Sequence, residues 1–238
     1  MVISNLKLAN FRNYSRLDLE LGPKMNVIIG KNAEGKTNIL ESICVLALTK
    51  TYKTGIEPNL ISFDKKSCRL RAKVKLNKVV KNLEITITPG KKTLKINKDE
   101  VKKISDYISN LNIIVFTPED LEIIKGSPSI RRNLLNIELS QISTKYLNTY
   151  NEYNKILKMR NEYLKLLLTS SIADKSYLDI ITDKLIEKAV YIYEERRKYL
   201  DYINENIDLI YEKITSDTGL RVIYEPNIEV DLYNHDEI

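Results

Sequence analysis

Apolar residues change their period along the chain, and each change marks a different kind of element. Near the start, Ile3, Leu6 and Leu8 stand against Ser4, Lys7 and Asn10, and Leu17-Asp18-Leu19-Glu20-Leu21 alternates strictly. A period of two predicts a pair of half-exposed strands. Met25-Asn26-Val27-Ile28-Ile29 is short, β-branched and bounded by Gly22-Pro23, which predicts a buried strand ending at Gly30. Ile39, Leu40, Ile43, Leu46 and Ala47 then recur at helical spacing, placing a helix N-terminus at Lys36-Thr37. Alternation returns in Arg69 to Leu76, Leu83 to Thr88 and Thr93 to Ile96, with Pro89-Gly90-Lys91-Lys92 turning between the last two. These are the strands of an antiparallel β-meander. Ile113-Ile114-Val115-Phe116 is continuously apolar and reads as a further buried strand.

Past Phe116 the pattern is helical. Asp120 to Lys125 predicts a short helix stopped by Gly126, and Ser129 can cap another through Arg131, Leu134, Leu135 and Leu139. Ser143 or Thr144 opens a third that reaches about Leu168 and breaks at Thr169-Ser170-Ser171. From Lys175 to Ile214 there is no Gly or Pro, and Leu200, Ile203, Ile207, Ile210 and Ile214 step by three and four, the seam of antiparallel helices. Gly219 ends that helix, and Leu220 to Tyr224 resumes a strand pattern. The expected organisation is α/β: a head lobe over 1–116, a helical arm lobe over 117–218, and a return strand into the head over 219–238.

Between the predicted strand at 25–29 and the helix at 36 lies Gly30-Lys31-Asn32-Ala33-Glu34-Gly35-Lys36-Thr37, which fits GxxxxGK[ST] in the context such a loop requires. Glycines at 30 and 35 permit backbone dihedrals and close approaches that a Cβ would block, so successive N–H groups can converge on phosphate oxygens. The helix N-terminus adds unpaired donors and a partial positive charge. Lys36 is then the residue to reach β- and γ-phosphates, and the Thr37 hydroxyl a ligand for Mg²⁺.

Composition narrows the alternatives. The 238 residues carry 38 Lys and Arg against 32 acidic residues, a formal +6 with pI near 9.0, which permits a polyanionic partner without requiring one. Cys44 and Cys68 belong to no CxxC pair and read as reduced thiols. A single histidine, His235, argues against a His-based zinc site or a Ser-His-Asp triad. No apolar run approaches membrane-spanning length and the first residues lack a signal-peptide core, so a soluble cytoplasmic chain is expected.

A nucleotide head interrupted by a helical insertion differs from the single compact sheet of small kinases and GTPases, and points to an ABC-type head. Leu8-Ala9-Asn10-Phe11-Arg12-Asn13-Tyr14, the stretch Gly30 to Asn38, Phe116-Thr117-Pro118-Glu119-Asp120-Leu121, Lys125-Gly126-Ser127-Pro128-Ser129 and Arg131-Arg132 together resemble the RecF family, bacterial recombination mediators related to SMC heads. The likeness runs along nearly all of the chain in order and is sharpest before about residue 141.

The resemblance implies an ATP site formed by Arg12, Asn13, Tyr14 and Gly30 to Asn38, with Arg12 beside a phosphate and Asn13 or Tyr14 on the adenosine side. It implies Mg²⁺ at Thr37. Pro118-Glu119 stands where ABC proteins place a glutamine, so Glu119 is either a second metal-side group or a helix-capping carboxylate. Implied partners are double-stranded and gapped DNA, RecR and a second copy in an ATP-dependent homodimer, within recombinational gap repair and replication restart. Cationic candidates for the DNA backbone are Lys50, Lys53, Lys65, Lys66, Arg69, Arg71, Arg131 and Arg132, the last two also suited to bracing a helix. The sequence shows no strand ending in Asp-Asp or Asp-Glu after residue 219 and no Ser-x-Gly-Gln element, so a fragment of a longer ABC head with weak or absent turnover is expected. No catalytic residue is assigned. The readings from other classes are a stand-alone P-loop kinase or NTPase acting on a small molecule, and an interaction module that binds no nucleotide.

Overall fold

The structure is a computed structural model that describes residues 1–51, 57–169 and 175–226. Its chain divides into two compact units, Met1–Gly126 and the residues from Ser127 onward.

The first unit is built on six antiparallel strands: β1 (Val2–Phe11), β2 (Tyr14–Glu20), β3 (Cys68–Leu76), β4 (Val79–Thr88), β5 (Lys91–Ile96) and β6 (Asp99–Val101). They lie in the order β2-β1-β3-β4-β5-β6. The alternation read in the sequence sets the register: Leu6 pairs with Leu19 and Ala72, and Leu70 with Leu8 and Ile85. One face therefore gathers Leu6, Leu8, Leu70, Ala72, Val74, Leu83, Ile85 and Ile87 into a core shared with helix α1 (Lys36–Leu48) through Ile39, Val45, Leu46 and Ala47. A two-residue turn at Pro89-Gly90 joins β4 to β5, Gly90 taking the positive φ of 77° that the tight reversal needs. Both cysteines are buried in this unit, and burial pushes the thiol of Cys44 up to about 12 and that of Cys68 to about 11. Helix α2 (Ile104–Ile108) follows the sheet.

Two expected strands do not form. Residues 25–29 and 113–116 are not assigned as strands and do not join the six-stranded sheet. Ile28 and Ile113 turn inward onto the core, whereas Val27, Ile29, Ile114 and Phe116 stand in solvent. The apolar run marks segments suited to burial on both faces; here the core covers one face, and neither segment is built into a regular sheet ladder. Beyond them, Thr117 and Asp120 form a capping box on the 3₁₀ turn Pro118–Leu121, which leads into the one-turn helix α3 (Glu122–Lys125) ended at Gly126.

The second unit contains α4 (Pro128–Ile142), α5 (Thr144–Thr169) and α6 (Lys175–Thr215). The cap of α4 is Ser127, not Ser129, because Pro128 fits the first helical position, where a missing N–H costs nothing. Ser143 accepts the Tyr146 amide at 3.1 Å and so opens α5 as expected. The core between the helices is richer in tyrosine than the Leu/Ile seam implies. Leu139, Tyr146 and Ile192 are its buried centre, ringed by Tyr150, Tyr153, Tyr191 and Tyr199. The Arg196 guanidinium donates to Asn136 Oδ1 at 2.7 Å and to the hydroxyls of Tyr146 and Tyr224 at 3.2 and 3.3 Å. At 41 residues against 26, α6 outruns α5, so Leu200 is buried while Ile210 and Ile214 at the far end of the seam are exposed.

The described part of the expected return segment, 219–226, forms no strand. It belongs to the second unit, where the Asn204 side chain clasps Val222 on both its N–H and C=O at 2.8 Å. An asparagine amide supplies the donor and acceptor that a neighbouring strand otherwise would. The remainder, 227–238 with His235, lies outside the described residues.

Candidate functional site

The loop from Gly30 to Thr37 turns on two positive-φ residues, Ala33 at 67° and Gly35 at 101°. Gly35 is the N-cap of α1, its carbonyl accepting from Asn38 N at 2.8 Å and Ile39 N at 3.2 Å. A side chain at 35 would be excluded twice, by that backbone and by Asn13, whose amide nitrogen would sit 2.5 Å from a Cβ. Asn13, at the β1–β2 turn, is thus wedged onto the loop: it donates to Glu34 O at 3.1 Å and accepts from Asn38 Nδ2 at 2.9 Å. Tyr14 beside it is partly buried, and burial, then the Glu34 carboxylate, raise its phenol above its ordinary value.

The charged side chains of the loop fold back onto its own backbone. Lys36 Nζ donates to Gly30 O and Lys31 O, both at 2.7 Å. Lys31 N donates to the Glu34 carboxylate at 2.8 Å. The loop therefore already presents an amide to an anionic oxygen, with an ammonium across from it, which is the chemistry a phosphate requires. Lys31, Asn32, Ala33, Glu34 and Thr37 are exposed, so the rim is open to a ligand.

Arg12 stands elsewhere than expected. Its guanidinium grips Glu41 with both arms, Nε to Oε2 at 3.0 Å and Nη2 to Oε1 at 2.7 Å, while Nη1 reaches Asn59 O at 2.8 Å. Glu41 is 0% exposed and also accepts from Thr51 Oγ1 at 2.6 Å. The turn holding Arg12 is pinned to the segment before β3 by Arg12 N to Leu60 O at 2.9 Å and Ser62 Oγ to Arg12 O at 2.6 Å. In this arrangement Arg12 ties the β1–β2 turn to α1, and Asn13 is the group of that turn that meets the phosphate loop.

Of the cationic candidates, Arg69 and Arg71 project from the outer face of β3, where both reach Glu84. Lys73 and Lys75 continue the same exposed row, and sequence reasoning missed them although the alternation of β3 already placed all four on one face. Lys65 and Lys66 are exposed before β3 and Lys50 at the end of α1; Arg131 and Arg132 are exposed on α4 in the other unit. Lys53 lies outside the described residues. Glu119 is exposed on its 3₁₀ turn, and among the described residues no group of three His, Cys, Asp or Glu side chains is placed to hold a metal ion. No described helix is long and apolar enough to cross a membrane.

Residues 1–236 match the AAA ATPase domain family. Along its whole length the chain is 38% identical to the DNA replication and repair protein RecF of Shouchella clausii, of which it covers 64%, and over 90% of its length it is 39% identical to that of Ligilactobacillus salivarius, of which it covers 57%. It thus spans about three fifths of these curated relatives. Among solved structures, a RecF–ATP structure described as a recombination mediator of the RecFOR pathway superimposes with a TM-score of 0.86 at 28% identity, covering 95% of this chain and 63% of that one. A second RecF structure gives 0.85 at 29% identity over 91% of this chain and 59% of the other. The chain belongs to the AAA ATPase domain family, and it is similar in sequence to RecF and in fold to the RecF ABC-type ATPase head.

Proposed function

We propose that this chain is the ATP-binding head and arm of a RecF-type DNA-repair protein of the cytoplasm, acting on gapped duplex DNA as an ATP-gated homodimer with a RecR partner. The observation that carries the reading is the loop itself, with the Lys31 amide on a carboxylate and Lys36 poised on the loop carbonyls, in a chain whose relatives are RecF along its whole length. Lys36 and the amides of Lys31 to Thr37 hold the phosphates, and Thr37 Oγ1 is the protein ligand offered to Mg²⁺. Arg12 acts through Glu41 as a positioning residue, fixing the turn from which Asn13 braces the loop. Turnover by these 238 residues alone is slow, since their sequence supplies no acidic strand end or Ser-x-Gly-Gln element to complete the metal shell and orient water.

DNA contact in this reading is with the backbone, through rows such as Arg69, Arg71, Lys73 and Lys75. A footprint of about four phosphates loses roughly a hundredfold in affinity between about 50 and 200 mM salt. Titrating gapped duplex against the chain with and without ATP tests this: steep salt dependence and tighter binding with ATP are expected. Affinity flat in salt, or indifferent to ATP, would remove the DNA role.

The same loop makes a second prediction. An incoming triphosphate must displace the Glu34 carboxylate from the Lys31 amide and approach a like charge. Glu34→Gln keeps an oxygen acceptor but removes the charge, so ATP should bind about threefold to tenfold more tightly, the gain being limited by solvent screening at this exposed position. Calorimetric titration at moderate salt measures it, and equal or weaker binding by the variant would show that Glu34 does not compete with the nucleotide.

A further inference from the structure

The second unit has an open recess of about 590 Å³, walled by α6 on one side and by the segment 221–226 on the other. The α6 wall is a stripe that steps by four, four and three: Tyr193, Arg197, Asp201 and Asn204. The other wall carries Arg221 and Tyr224. It is neither helix nor strand, yet it is held at several points. Asp208 Oδ1 accepts the amides of Gly219 and Leu220 at 2.6 and 2.9 Å, Asn204 clasps Val222, and the Tyr224 hydroxyl accepts from Arg196. Arg221 is therefore presented from a backbone pinned on both sides, while its own side chain is exposed. Among the described residues neither Arg221 nor Arg197 makes an ion pair or a side-chain hydrogen bond, and the Asp201 carboxylate is likewise uncommitted. Two uncommitted guanidinium forks lining one recess suit an anion with several oxygens. Arg196 adds to the positive field, because its three side-chain partners, Asn136, Tyr146 and Tyr224, are all neutral.

A free phosphate would leave most of this volume empty, since the recess has the size of pockets that hold drug-sized ligands. The half-buried rings of Tyr193 and Tyr224, with centroids 5.4 Å apart and planes tilted by 43°, add aromatic surface, and Asp201 adds an acceptor for an N–H. Phosphate, flat ring and ring N–H are together the parts of one nucleotide unit. In a duplex the base edges and faces are taken up by pairing and stacking, so only an unpaired strand can offer all three at once. We propose that this recess seats one unit of single-stranded nucleic acid, with its phosphodiester held by Arg197 and Arg221 and its base against Tyr193. The site shares no residue with the 30–37 loop or with the cationic row on β3, so it stands or falls apart from the nucleotide and duplex readings.

Fluorescence anisotropy of a labelled oligothymidylate, titrated with the 238-residue chain at low salt, tests this. Arg197→Ala combined with Arg221→Ala should weaken the oligonucleotide about tenfold and flatten the slope of log affinity against log salt by about 0.7, the value for one single-strand phosphate. Both side chains are exposed and uncommitted, so the melting temperature should not move, and duplex binding through β3 should be unchanged. Tyr193→Leu keeps apolar bulk but loses the ring, so it should weaken oligothymidylate about fivefold and spare an abasic strand of the same length. Equal losses for duplex and oligonucleotide in the arginine variant would overturn the proposal by revealing a general cationic surface, and no loss for either would overturn it outright. A Tyr193→Leu loss shared by the abasic strand would remove the base contact. If inorganic phosphate or polyglutamate at matched charge displaced the oligonucleotide as well as the unlabelled strand does, the recess would be a phosphate or acidic-peptide site and the nucleic-acid assignment would fall.

Discussion

Replacing Glu41 by alanine is expected to destabilise the first unit by about 3–5 kcal/mol, the size found when one partner of a buried ion pair is removed. The carboxylate is 0% exposed and is met by two nitrogens of Arg12 and by the Thr51 hydroxyl. Without it, the guanidinium keeps its bond to Asn59 O at 2.8 Å, and its charge is left largely buried without the Glu41 counter-charge. For a chain of this size the loss corresponds to a fall in unfolding temperature of about 10 °C, readable by circular dichroism. Glu41→Gln should fall between the variant and the parent, since an amide keeps one oxygen for the guanidinium but not the charge. A melting temperature for Glu41→Ala within a degree or two of the parent would show that the pair holds nothing together. A second consequence separates stability from function: at temperatures where Glu41→Ala is still folded, its ATP affinity should drop, because the turn that carries Asn13 has lost its tie to α1.

The sheet was legible because a half-buried antiparallel strand writes its register into the sequence. Once Leu6, Leu8, Leu70 and Ile85 must face one core, a one-residue slip would turn all of them outward. The geometry of the 30–37 loop was legible for the opposite reason: Gly35 at φ 101° against Asn13 leaves so little choice of residue that the motif is nearly the geometry. Residues 25–29 and 113–116 misled because apolarity reports a preference for burial and carries no information about whether a segment joins a sheet ladder. The resemblance implied Arg12 beside a phosphate; in this structure its guanidinium pairs with Glu41. The signal was there, since a lone carboxylate among Ile39, Cys44, Val45, Leu46 and Ala47 on a buried helix face needs a cationic partner. The arm hid its core in tyrosines, whose hydroxyls let Tyr146 be buried and still meet Asn136 at 2.8 Å and Arg196. The row 220–224 alternates like a strand, yet the single side-chain amide of Asn204 takes the place of a ladder partner at Val222.

Lys36→Ala should lower ATP affinity by about a hundredfold or more, with little change in stability. The two outcomes are separable because Lys36 is bonded to its own loop's carbonyls, Gly30 O and Lys31 O, at an open rim and not in the core. Losing those contacts leaves two carbonyls that water can solvate, so the unfolding temperature should stay within a few degrees of the parent. Binding is different. When a triphosphate occupies the loop, the ammonium exchanges neutral carbonyls for charged phosphate oxygens, and each such charge-assisted bond contributes about 1.5–3 kcal/mol. Two of them amount to roughly the hundredfold stated. Lys36→Arg is the sharper control: it keeps the charge but replaces a compact ammonium by a planar fork too wide to sit between Gly30 O and Lys31 O, so it should bind ATP only partly better than alanine does. If Lys36→Arg restored full affinity, positive charge alone would be enough and the tight fit of the loop around the ammonium would be irrelevant. Parent-like ATP binding by Lys36→Ala, in a protein that still melts normally, would place the nucleotide outside the loop altogether.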